Sequence, residues 1–291
     1  MTIKVSALNR GLTLAWLSII LPFPQSDYYQ DIKNYRYGEG VIMTVPDSSE
    51  KYVRFLYQGV NVPYSNEKKS CELTFDATLY DVRTDFSQIK KIYEYDTTGE
   101  PYRRYTRGNE PYIVPNNPKI DTIQKGIWKE SENIIEYARK CYEYVARTFE
   151  YKNPNTGLHS LVDIFQAGGS DCGNLSSVYI SLLRAAGIPA RHVAAVRPDG
   201  SLHVWAEFYL ERYGWVPVDV TYKLQNPAGD YFGIVAGNNT GIIVNKDINL
   251  TVQPQEQGYT LPLLQTFAYW YWYSAGKGDI ETKYEVRSVQ K

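Results

Sequence analysis

The pattern of apolar and polar positions changes character along the chain. Up to about residue 117 it is short and strand-like: residues 12–21, 40–45, 52–57 and 71–82 are apolar or alternating runs of strand length. Turn-forming clusters separate them, namely Pro22/Pro24, Pro46-Asp47-Ser48-Ser49 and Asn66-Glu67-Lys68-Lys69. Short strands at this spacing predict an antiparallel β-sandwich. Residues 95–118 are polar, rich in Pro, Gly and Tyr, and read as a connecting segment.

From about Trp128 the period becomes helical. Ile134, Ala138, Cys141, Val145 and Phe149 recur at three to four residues, which predicts an amphipathic helix ended by Asn153-Pro154-Asn155-Thr156-Gly157. A second helical period runs through Leu175, Val178, Tyr179, Leu182, Leu183 and Ala186, and Gly187 with Pro189 beyond it stops the helix. Three strands are expected next, over 191–196, 202–210 and 215–220, joined by Pro198-Asp199-Gly200 and Arg212-Tyr213-Gly214. Residues 223–291 return to a β-like composition and end in Tyr269-Trp270-Tyr271-Trp272-Tyr273. That run puts Trp270 and Trp272 on one strand face, expected to pack against a neighbouring domain, with polymer binding as the alternative. The expected organisation is an N-terminal β-sandwich over 1–117, an α+β core over 118–236 and a C-terminal β extension over 237–291 packing on the other two.

Composition narrows the function classes. Hydrophobic content of 43% and charged content of 22% are those of an ordinary globular protein. With 31 basic and 32 acidic residues, nothing favours nucleic acid as a partner. No apolar run reaches the ~18 residues of a membrane span. Residues 12–21 follow Lys4 and Arg10, as in a signal peptide, but Trp16 and Ser18 interrupt them and no small-residue cleavage site follows. They are read as a strand, so an exported protein would have its leader outside this chain. Three cysteines far apart and three histidines (His159, His192, His203) leave little from which to build a zinc site, and no cofactor or metal is expected. Cys141 falls on the apolar face of the first helix and Cys71 opens a strand; both are expected to be buried thiols, with a disulfide between them left open.

The chemistry gathers around Gly168-Gly169-Ser170-Asp171-Cys172-Gly173-Asn174. Two glycines let another backbone approach, two good N-cap residues follow, and Cys172 falls in the first turn of the second helix. Unpaired N–H groups and the helix dipole stabilise an anion there, which suits a thiolate nucleophile. Such a nucleophile needs a base, and the base needs a group that fixes its tautomer. On the strand 202–210, His203, Trp205, Glu207 and Tyr209 share one face, while Val204, Ala206, Phe208 and Leu210 form the expected core face. On the next strand Asp219 lies opposite Val216, Val218 and Val220. If the hairpin centres near Arg212, Asp219 falls opposite Trp205, diagonal to His203 and on its face. A one-residue slip would turn it away.

These blocks resemble a known family. Asp171-Cys172-Gly173-Asn174, the run Leu183-Arg184-Ala185-Ala186-Gly187-Ile188-Pro189-Ala190-Arg191, then His203-Val204-Trp205-Ala206-Glu207 and Gly214-Trp215-Val216-Pro217-Val218-Asp219 look like the transglutaminase-like core. The resemblance covers about 128–222. It implies a papain-like fold with Cys172 as nucleophile, His203 as base and Asp219 as orienter, and the chain as a whole resembles exported (periplasmic or cell-surface) bacterial members. Animal cross-linking members carry Gln-Cys-Trp where this chain has Asp-Cys-Gly. Hydrolysis of a peptide, protein or peptidoglycan-like amide is therefore the expected reaction, with transamidation to an amine, or a non-catalytic binding module, as alternatives. Further candidates are Gln166, six residues before the cysteine, as an oxyanion donor; His159 as a cleft residue or a cap; and Trp205 as a wall over the His–Asp pair. Glu207 is expected to pair with a base or with solvent.

Overall fold

The computed structural model describes residues 1–46, 48–153, 157–235 and 241–289. The helix-ending signal at 153–157 and the expected boundary at 236/237 therefore fall largely outside the described residues, as does Asp47 of the turn at 46–49. Six strands come first: β1 (Thr2–Asn9), β2 (Leu12–Pro22), β3 (Gln30–Arg36), β4 (Val41–Thr44), β5 (Lys51–Gln58) and β6 (Lys68–Leu79). The middle of the chain holds β7 (Val82–Arg83), α1 (Glu100–Tyr105), α2 (Pro118–Lys129), α3 (Ile134–Thr148), β8 (Glu150–Tyr151), α4 (Leu161–Ala167) and β9 (Gly169–Ser170). Next come α5 (Cys172–Ala185), β10 (Ala190–Val196), β11 (Leu202–Leu210), β12 (Gly214–Val218), α6 (Val220–Gln225) and β13 (Ile234–Val235). The last strands are β14 (Ile242–Asn245), β15 (Leu250–Val252), β16 (Tyr259–Leu261), β17 (Ala268–Gly276) and β18 (Ile280–Arg287). Among the described residues no helix is long and apolar enough to cross a membrane.

By compactness the chain forms two units, 1–80 with 195–202 and 241–291, and 81–194 with 203–240. The sequence pattern had counted three segments. The difference lies in the last strands, which complete the first sheets: β18 pairs antiparallel with β1 from Thr2↔Arg287 to Asn9↔Ile280, and β17 pairs with β2. The first unit is a sandwich of sheets ordered β18-β1-β6-β3 and β17-β2-β5-β4. Ile3, Val5, Leu17, Ile19, Leu73 and Phe75 fill its core, each fully buried. Trp270 packs within its own unit, its ring 5.5 Å from that of Tyr259, not on a neighbouring domain as expected, and Trp272 on the same face is 64% exposed.

In the second unit α5 is buried on every side from Gly173 to Arg184, wider than the apolar stripe the sequence predicts. Its non-apolar faces carry Ser176, Ser177 and Ser181, small enough for other segments to close on the backbone. Helix α3 packs on it, starting at Asn133, whose side chain accepts from the N–H groups of Ile135 and Glu136 at 3.0 Å each. The Tyr137 hydroxyl donates to the Leu182 carbonyl at 2.7 Å. Helix α5 ends where the sequence says, with Gly187 in the left-handed region (φ 72) and the Ile188 N–H returning to the Leu183 carbonyl at 3.0 Å.

Two expectations are corrected here. Residues 95–118 are more than a connection: they contain α1, the Tyr95 hydroxyl donates to the Tyr209 carbonyl at 2.7 Å, and Tyr105 is buried edge-on to Trp215. Their anchors are aromatic rings and hydroxyl tips, which leave no aliphatic period to read. Strand β11 also has no wet face, since His203 through Phe208 are all buried. Glu207 is fully buried and pairs with Arg191 at 2.8 Å, while the Arg191 guanidinium lies 3.8 Å from the centre of the Trp215 ring.

Candidate active site

The nucleophile loop is tied on both sides. Gly168 takes the left-handed conformation (φ 65) that ends α4, and Gly169 pairs in parallel with Glu150 across β8 and β9. A Cβ on Gly169 would stand 2.3 Å from the Glu150 carbonyl oxygen, so only glycine permits this approach. Asp171 caps α5, its carboxylate accepting from the Asn174 N–H at 3.0 Å and from the Asn174 side-chain amide at 2.8 Å. Asn174 in turn accepts from the His159 N–H at 2.7 Å and donates to the Gly157 carbonyl at 3.0 Å. Cys172 stands at the first position of α5, half-buried and free, whereas Cys71 and Cys141 are buried free thiols that burial pushes up to about 12. Gly169→Ala is expected to destabilise the protein by roughly 1–3 kcal/mol in urea denaturation and to slow alkylation of Cys172. An unchanged midpoint would mean that β8 and β9 separate freely.

Strands β11 and β12 carry the other two groups in the expected register. Ala206 pairs with Val218, Phe208 with Val216 and Leu210 with Gly214, so the next step of the ladder brings Asp219 opposite Trp205. His203 Nε2 lies 2.5 Å from Asp219 Oδ2. The other carboxylate oxygen caps α6, accepting from the N–H groups of Thr221 at 3.1 Å and Tyr222 at 3.0 Å. The Cys172 side chain also acts on the His203 imidazole and helps to raise its pKa. With Nε2 turned to Asp219, Nδ1 is the nitrogen left for the sulfur. Burial alone would lower the imidazole pKa. The charge and hydrogen bond of Asp219, with the Cys172 side chain, outweigh it and raise the pKa to about 9.

Trp205 stacks on His203 with ring centres 5.9 Å apart and planes 29° apart, and Tyr222 closes on the imidazole at 4.7 Å. The structure therefore brings Cys172, His203, Asp219 and Trp205 together. His159 lies beside the nucleophile loop through its backbone, and Gln166 is exposed on α4. Sequence reasoning missed Tyr222, which follows the capping carboxylate by three residues, and Asn174, which ties the loop. It also missed His192, whose Nε2 lies 3.0 Å from the Gly173 carbonyl and 3.2 Å from Ser177 Oγ. Complete burial pushes His192 down to about 4, so it stays neutral under the first turn of α5. The available signal was the alternation of β10, which turns His192 and Ala194 to one face. Among the described residues no group of three or more His, Cys, Asp or Glu side chains could hold a metal ion.

Residues 121–220 match the family profile described as the transglutaminase-like superfamily. An uncharacterized protein of Haemophilus influenzae is 36% identical, the match covering 72% of this chain and 64% of that protein. A protein-glutamine gamma-glutamyltransferase of Pseudomonas aeruginosa is 32% identical over 26% of this chain and 14% of its own length. The fold is similar to the crystal structure of a candidate cysteine protease from Cytophaga hutchinsonii, with a TM-score of 0.61 and 14% identity, covering 100% of this chain and 92% of that one. The chain spans 14% to 64% of the length of the curated relatives it matches.

Proposed function

Residues 121–220 place the chain in the transglutaminase-like superfamily, a family of cysteine-based acyl-transfer proteins, and from that premise we propose that Cys172, His203 and Asp219 perform cofactor-free acyl transfer on an amide. What carries the reading is one imidazole held by the Asp219 carboxylate at 2.5 Å, with the Cys172 side chain acting on the same ring.

The thiol proton passes to His203 Nδ1, and the sulfur attacks the amide carbonyl carbon. The oxyanion is met by the N–H of Cys172 at the start of α5. As the C–N bond breaks, the imidazolium returns the proton to the leaving nitrogen and a thioester remains on Cys172. Water then attacks, giving up its proton to the imidazole, and the product acid leaves with the thiol restored. Asp219 holds the ring in one orientation and stabilises its positive form. Hydrolysis of a peptide, protein or peptidoglycan-like amide is the first reading, in keeping with Asp171-Cys172-Gly173. A primary amine in place of water would give transamidation, the reading that the Pseudomonas aeruginosa relative favours.

A thiol-reactive peptide probe is expected to label the wild type but not Cys172→Ala, and mass spectrometry of amide substrates with and without a primary amine separates acid from conjugate. Labelling only at the rate of an ordinary thiol would argue against the reading. The imidazolium is lost as pH rises through about 9, so labelling of the ion pair and kcat/KM should fall on that alkaline limb. The same sign applies to stability. The contribution of the His203–Asp219 pair is complete below the ordinary value of 6.5 and is lost as pH rises through about 9, which a urea midpoint series measures.

A further inference from the structure

We propose that Tyr222 is a positioning residue for this reaction, its ring seating the His203 imidazole and favouring the charged form, an inference that rests on the acyl-transfer reading above. Two contacts of different kinds meet in this one residue. Its backbone N–H donates to Asp219 Oδ1 at 3.0 Å, one of the two capping bonds that start α6. Its ring centre lies 4.7 Å from that of His203, with the planes inclined by 39°. The start of α6 thus brings both a carboxylate and an aromatic ring to the same imidazole. The ring is itself held. Tyr231 packs on it with centres 5.4 Å apart. Tyr231 in turn is fixed by its N–H, which donates to the Tyr142 hydroxyl at 3.0 Å, and by its carbonyl, which accepts from the Asp219 N–H at 3.1 Å.

The Asp219 bond leaves a freedom that Tyr222 removes. A hydrogen bond at Nε2 lies in the imidazole plane and lets the ring pivot about it, and the last torsion of a histidine is soft. Two rings side by side in one plane cannot bring their centres to 4.7 Å, so Tyr222 meets the imidazole from out of plane and opposes that pivot. The ring also acts on charge. His203 is 5% exposed, and burial opposes an imidazolium there. An aromatic ring within about 6 Å attracts a cation, most strongly where water is excluded. Few other groups share this task. Asp219 supplies the counter-charge, Cys172 acts from α5, and Trp205 stacks at 5.9 Å. His192 on β10 is kept neutral by burial, which pushes it down to about 4, and burial keeps the Tyr142 hydroxyl on α3 protonated. Asp230 is matched by Arg139 at 3.1 Å. Without the Tyr222 ring, Asp219 and Trp205 are left to support the positive form.

The test compares Tyr222→Leu and Tyr222→Met, which keep an apolar side chain and the backbone N–H but no aromatic ring, with Tyr222→Phe, which loses only the hydroxyl. With an amide substrate, the Leu and Met variants should lower kcat by roughly ten- to a hundred-fold with KM unmoved. Their alkaline limb should come down by roughly half a unit to one unit from its wild-type place near 9. Tyr222→Phe should keep the limb where it is. A second arm needs no turnover: the His203 imidazole is titrated by NMR in the whole chain, its signal assigned among three histidines by its absence from His203→Gln. The same downward shift should appear in the Leu and Met variants and not in Tyr222→Phe. A limb and an imidazole signal that stay put in Leu and Met overturn the role of the ring, as does a Phe variant that shifts as far as they do. A loss that falls on KM instead of kcat overturns it too, since the ring would then be holding substrate. If no amide turns over in wild type the acyl-transfer reading fails, and the NMR titration still decides whether Tyr222 supports the imidazolium.

Discussion

Cys172→Ala and His203→Ala are each expected to remove turnover by on the order of 10⁴- to 10⁶-fold, and the double variant to lose no more than the worse single one. The reason is that the two groups act as one unit. Without the imidazole the sulfur has no acceptor for its proton, and without the sulfur the imidazole has nothing to activate. The controls differ in kind. Cys172 is half-buried at the first position of a capped helix, where alanine fits, so its variant should keep the wild-type urea midpoint. His203 is 5% exposed and holds Asp219, so His203→Ala leaves a buried carboxylate with only its two backbone donors and should lower the midpoint as well. Turnover within ten-fold of wild type in Cys172→Ala would remove the sulfur from the reaction path altogether.

How far the sequence led depended on whether each feature was set locally. The nucleophile loop was legible because every part of it is local: glycines where β8 and β9 touch, Asp171 as cap, and Gly187 and Pro189 as the stop. The register that brings Asp219 to His203 was legible because a tight turn fixes it, with Arg212 (φ 69) and Gly214 (φ 94) both in the left-handed region. The two faces of β11 were not, since alternation assumes one face meets water. Here a buried Glu207–Arg191 pair lets both faces be covered. Nor could the sequence give the partner of the last strand, because Thr2↔Arg287 and its neighbours are joined by no local signal. His192 and Tyr222 have the same explanation. Each takes its meaning from what the fold carries to it: the Gly173 carbonyl and the His203 ring.

Asp219→Asn poses the sharper question, because one carboxylate serves two ends. Its Oδ2 holds the ring 2.5 Å away, and its Oδ1 caps α6. An amide has one oxygen to divide between them. If the oxygen stays with the helix, the amide NH2 faces Nε2, the ring is forced to carry its proton on Nδ1, and it can no longer accept one from the sulfur. If the oxygen turns to the ring, the NH2 meets the N–H groups of Thr221 and Tyr222, and α6 loses a cap worth about 1 kcal/mol. Either way the imidazolium loses its counter-charge. We expect kcat/KM to fall by roughly 10²- to 10⁴-fold and the alkaline limb to move below its wild-type position near 9. The urea midpoint tells the two cases apart. An unchanged midpoint with the full catalytic loss means the helix keeps the oxygen, and a lowered midpoint with a milder loss means the ring does. A variant with wild-type activity and an unmoved limb would show that Asp219 serves α6 alone and that the imidazole is oriented by Trp205 and Tyr222.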